Sequence, residues 1–173
     1  MTKQRLNITR RQLLFGTGAL SLLGTAFALY RQTGEYPEDP IELLSLSHKE
    51  AAIYRYIGKW MIPPGGPLPG HGGDDETLRR IDQVVLNLPE GKRWLLGALP
   101  LVFEHGTAFN RFGSKRLTML ATEDGHPYLE EWANSEWEIN MQLFAALKTM
   151  YGFSYFERDD VLKTIISEHH CAV

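Results

Sequence analysis

The sequence contains few of the residues from which cofactor sites are built. Its 173 residues include one cysteine, Cys171, which excludes an internal disulfide, a multi-cysteine zinc site and an iron–sulfur cluster within this chain. A Cys-x-x-Cys-His haem attachment sequence and a Walker A sequence are both absent. His169 and His170 lack the i, i+4 spacing of helical metal sites, so we interpret them as incidental. We therefore expect no cofactor and no metal in this chain, while Cys171 leaves open a disulfide to another chain.

Basic residues are scarce beyond the N-terminal region. The chain has 18 Lys and Arg against 21 Asp and Glu, and four of the basic residues lie within residues 1–28, which contain no acid. Residues 29–173 thus carry 14 basic against 21 acidic residues, a formal charge of -7. Because binding to phosphate backbones requires clustered Lys and Arg, we expect no nucleic acid partner.

The first 28 residues have the pattern of an export signal. Arg10 and Arg11 are followed by Leu13, Leu14 and an uncharged run of 18 residues that ends at position 30. A basic segment before an apolar run is typical of secretory signals, and the arginine pair resembles a twin-arginine signal. The pattern predicts that the twin-arginine translocase exports this chain to the periplasm.

The end of this segment leaves two outcomes open. Ala26 and Ala28 form a small-residue triplet with Phe27, which suits cleavage after Ala28. An uncut segment would instead anchor the chain in the inner membrane, because 18 uncharged residues nearly match the roughly 20 that span a bilayer.

The remainder of the sequence predicts an all-α body of five to six helices. Residues 29–46 contain prolines and acids and indicate a linker, whereas residues 47–173 carry apolar residues at helical spacing and no convincing alternating strand. Ser47 and Glu50 form a capping box that predicts the first helix start. Asp74 or Asp75 is expected to cap the second helix.

Capping residues, prolines and glycines also predict where the later helices begin and end. Pro89 predicts the start of a third helix, which runs to about residue 112 and is apolar enough to be the buried centre. A fourth helix is expected over residues 127–134. Ser135 and Glu138 indicate a second capping box at the start of a fifth helix, and Gly152 indicates its end. Asp159 or Asp160 would introduce a short sixth helix.

Two segments are candidates for chemistry or contact. Prolines and glycines dominate residues 63–73, and we interpret this loop as a connector or partner-docking loop, because no strand precedes it to form a phosphate cradle. Glu104 and His105 interrupt an apolar helix, but adjacent helical residues point in different directions, so a structural or contact role is favoured over proton transfer. No serine, cysteine or lysine nucleophile has a recognisable helper.

Several segments together resemble the gluconate 2-dehydrogenase subunit 3 family. They are the arginine-pair leader, the Leu-Ser-x-x-Glu start at residues 46–50, Ile-Gly-Lys-Trp-Met-Ile-Pro at 57–63, Glu-His-Gly-Thr at 104–107 and Tyr-Leu-x-x-Trp at 128–132. Residues 125–127 depart from the family pattern, where a charged helical turn is usual. The resemblance implies a small subunit that accompanies a large flavoprotein of the glucose-methanol-choline type, with FAD and the catalytic base in that partner and a cytochrome c as a possible third subunit.

The resulting hypothesis is a non-catalytic escort of a periplasmic dehydrogenase that oxidises a sugar, sugar acid or alcohol. No catalytic residue of this chain is expected. The partner-contact candidates are Trp60, Pro63, Pro64, His105 and Trp132. Two alternatives stay open: a stand-alone periplasmic helical enzyme that uses Glu104 and His105, and a membrane-anchored adaptor without a redox partner.

Overall fold

The part of the chain that the structure describes contains six α-helices. This computed structural model describes residue 36, residues 40–113 and residues 115–170, with side chains through residue 167. These residues contain no β-strand, so the all-α prediction is confirmed. The export-signal residues Arg10, Arg11, Leu13, Leu14, Ala26 and Ala28, and also Cys171, lie outside the described residues. The helices are α1 (His48–Met61), α2 (Asp75–Asn87), α3 (Glu90–Gly106), α4 (Thr122–Ala133), α5 (Glu138–Phe156) and α6 (Asp159–His170).

The first two helices begin where the sequence predicts. The Ser47 hydroxyl accepts the Glu50 N–H, and the Glu50 carboxylate accepts the Ser47 N–H at 2.8 Å, which completes the capping box of α1. Asp74 caps α2, because its carboxylate accepts the Thr77 N–H at 2.9 Å. Local capping therefore fixes both starts.

The core lies between α1 and the helices that surround it. Helix α1 packs against α3, while α2 and α4 both pack along α5. Tyrosines cross the core with their hydroxyls satisfied by backbone carbonyls: Tyr54 donates to Leu96 O at 2.6 Å, and Tyr151 donates to Tyr54 O. Because each hydroxyl donates a hydrogen bond to a carbonyl, these large aromatic side chains are buried without an unsatisfied polar group.

Helix α3 differs from the predicted buried centre. It ends at Gly106 rather than near residue 112, and a 3-10 turn over Thr107–Phe109 follows. The side chains of Leu99, Leu101 and Phe103 are buried, whereas Trp94, Leu95 and Phe109 are exposed. The prediction was wrong for the two ends of the segment because the surrounding helices cover only its middle.

Helix α4 begins at Thr122, five residues before the predicted start at Pro127. Glu123 and Asp124 favour this start because acids stabilise the positive end of a helix dipole. Pro127 is the sixth residue of this helix, so its missing N–H removes one intrahelical hydrogen bond, to the Glu123 carbonyl, without ending the helix. Gly125 lets the Trp60 ring pack on the helix backbone, since a Cβ there would lie 1.8 Å from Trp60 Cε2.

The second capping box and the Gly152 stop were both wrong. Helix α5 starts at Glu138 with Trp137 as an N-cap that makes no side-chain bond. The Ser135 hydroxyl instead accepts the Trp137 N–H at 3.2 Å, which is a local turn before the helix. Gly152 lies inside α5, which continues to Phe156. No described helix is both long and apolar enough to cross a membrane.

Candidate functional site

Glu104 forms a fully satisfied buried carboxylate near the end of α3. Its Oε1 accepts the Tyr36 hydroxyl at 2.7 Å and the Thr118 hydroxyl at 2.7 Å, while Oε2 accepts the Thr118 N–H at 3.0 Å. The Arg116 Nε lies 4.0 Å from Oε1. Because the side chain is 0% exposed, this carboxylate is already engaged and out of reach of a substrate. It ties the linker at Tyr36 to α3 and to the turn after it.

Burial and the nearby Glu104 carboxylate shift the pKa values of Tyr36 and His105. Burial, and then the hydrogen bond to Glu104, raise the pKa of the Tyr36 hydroxyl, so it remains a donor at physiological pH. Burial lowers the pKa of the half-buried His105 imidazole from its usual 6.5, and the opposing effect of Glu104 does not cancel this. His105 is therefore favoured as a neutral ring near pH 7.

Asp82 on α2 holds the end of the linker. Its Oδ2 accepts the Leu44 N–H, and its Oδ1 accepts the N–H groups of Ser45 and Leu46, all at 2.8 Å. The carboxylate is buried. Three converging N–H groups satisfy a buried charge that would otherwise be costly. The described linker residues 40–46 are thus attached to the helical body immediately before α1.

Arg158 joins the start of α2 to the α5–α6 corner. Its guanidinium bonds to Asp74 Oδ2 at 2.5 Å, to Thr77 Oγ1 at 3.0 Å and to both carboxylate oxygens of Asp160. Burial raises the pKa of Asp74, but the Thr77 N–H and the guanidinium lower it more, so the net pKa lies below 3.8. This cluster, centred on the buried Arg158 guanidinium, stabilises the fold through its hydrogen bonds.

The proline- and glycine-rich loop over residues 63–73 is a packed connector. Gly72 N donates to Ile62 O at 2.9 Å, and the Tyr155 hydroxyl donates to Pro69 O at 3.1 Å. The loop crosses α1 at Gly58, where an added Cβ would lie 2.1 Å from the Gly72 oxygen. The glycines therefore permit close backbone contact, which is a structural explanation for the composition of the loop.

An apolar groove of about 350 Å³ lies between the end of α1, α4 and α5. Trp60 and Leu129 line one side of it, and Phe144 and Phe156 line the other. Lys148 is a charged residue on its wall. A groove of this size and character suits one large apolar side chain of a partner.

The structure separates the five predicted contact residues. Trp60 is half-buried in the groove wall, and Pro63 and Pro64 are exposed on the following loop. His105 is half-buried on α3. Trp132 is buried, so it is mainly a core residue, and its ring lies 4.4 Å from that of Phe103 between centroids. Trp60, Pro63, Pro64 and His105 thus keep exposed surface, whereas Trp132 does not.

Several large apolar side chains outside the five predicted contact residues are exposed. Phe109 is 93% exposed, Trp137 72%, Trp94 62% and Phe153 59%. The sequence did contain an indication that side chains of α5 are exposed: between Glu138 and the end of the helix, α5 carries a single charged residue, Lys148. A helix that is apolar on all sides is usually buried on all sides, so α5 is incompletely covered in the isolated chain.

Comparison of the chain with protein-family models, curated proteins and solved structures finds no match. Among the residues that the structure describes, no three His, Cys, Asp or Glu side chains are grouped so as to hold a metal ion. The residues and their geometry therefore carry the functional inference.

Proposed function

We propose that this chain is the non-catalytic small subunit of a periplasmic flavin-dependent dehydrogenase. In this role it serves the twin-arginine export, assembly and stability of a large flavoprotein of the glucose-methanol-choline type. The observation that carries the proposal is the exposed apolar surface of so small a body: Phe109, Trp137 and Phe153 are each more than half exposed. Phe109 and Trp137 line one common groove, and exposed large apolar side chains of this kind are typical of a protein–protein interaction site.

The leader supports the same role. Arg10 and Arg11 resemble a twin-arginine signal, and that route suits cargo that folds and takes up a cofactor before export. A leader on this chain would export a partner that folds with it. FAD is accordingly proposed in the flavoprotein and haem c in a possible third subunit. By resemblance, the substrate is a sugar, sugar acid or alcohol.

The geometry around Glu104 supports a structural role over the alternative of a stand-alone enzyme. A general acid or base must reach the proton that it transfers, whereas Glu104 accepts three hydrogen bonds from Tyr36 and Thr118 and is buried. Burial lowers the pKa of the half-buried His105 imidazole, which disfavours its protonated form as a proton donor near pH 7. Neither residue is therefore assigned a catalytic role.

The test is export of the dehydrogenase in the native bacterium. Changing Arg10→Lys together with Arg11→Lys should remove most flavin-dependent dehydrogenase activity from the periplasm. Lysine keeps the positive charge at both positions, so the loss would be due to the missing arginine pair of the export signal. The matched control is Arg5→Lys, which makes the same chemical change outside the pair. Undiminished periplasmic activity in the double variant, with the native flavoprotein present, contradicts the escort role.

A further inference from the structure

We draw no further inference here: the strongest candidate, the surface groove of about 610 Å³ that Phe109, Trp132 and Trp137 line between the end of α3, α4 and the start of α5, belongs to the exposed apolar surface already described, and nothing in the described part of the chain shows what covers it.

Discussion

Removing the Asp82 carboxylate tests whether the linker is held by the body. In Asp82→Ala the N–H groups of Leu44, Ser45 and Leu46 lose their common acceptor. The Leu46 bond is buried, so its N–H is left unsatisfied at about 1–3 kcal/mol, whereas the two partly buried N–H groups regain water and lose about 0.5–1 kcal/mol each. We expect a loss of about 3 kcal/mol, which lowers the melting temperature by about 10 °C.

Two measurements check this effect. Urea unfolding followed by tryptophan fluorescence gives the change in the free energy of unfolding, and hydrogen exchange gives the protection of the amides at positions 44–46. Gln83→Ala is the control, because it truncates the exposed neighbour on the same helix. A loss below about 0.5 kcal/mol, with exchange at positions 44–46 unchanged, would refute the reasoning.

Three further predictions concern the connector and the two buried clusters. Gly58→Ala should destabilise the fold by about 2 kcal/mol, because its Cβ would meet the Gly72 oxygen; urea unfolding with no change contradicts the close contact. Glu104→Gln should lower the free energy of unfolding by about 2 kcal/mol and leave the dehydrogenase activity of the assembled complex unchanged. Loss of that activity in a stably folded complex would favour a catalytic role. The low pKa of Asp74 adds stability above pH 3.8 that disappears as the pH falls through the folded-state pKa; Arg158→Met should flatten this acid dependence, and an unchanged dependence excludes the ion pair as its source.

Much of the fold could be predicted because short-range signals determine it. The Ser47 box and the Asp74 cap act within one helical turn, so the starts of α1 and α2 are readable from adjacent residues. The same kind of signal gave a wrong prediction at Ser135, because its hydroxyl accepts a hydrogen bond within a local turn and does not cap the helix. At Gly152 the helix continues because a glycine is tolerated inside an otherwise apolar helix.

The long-range clusters could not be predicted from local patterns. Asp82 and Arg158 each join segments that are far apart in sequence, by 36–38 positions for Asp82 and by 84 positions for the pair of Arg158 with Asp74. Exposure was equally hidden, because Trp94 and Trp132 both occupy helical apolar positions while only Trp132 is covered by neighbouring helices. The near absence of charge in α5 was the one readable sign of an uncovered surface.

The flavin content of the native assembly tests the central claim most directly. Full-length chain is purified from the periplasm in mild detergent, and light scattering with absorbance detection gives its mass and chromophore. The account predicts a yellow complex in which this chain accompanies a larger flavin-containing subunit and dehydrogenase activity is present. A colourless chain that is alone, or one that turns over a substrate by itself, would contradict the account.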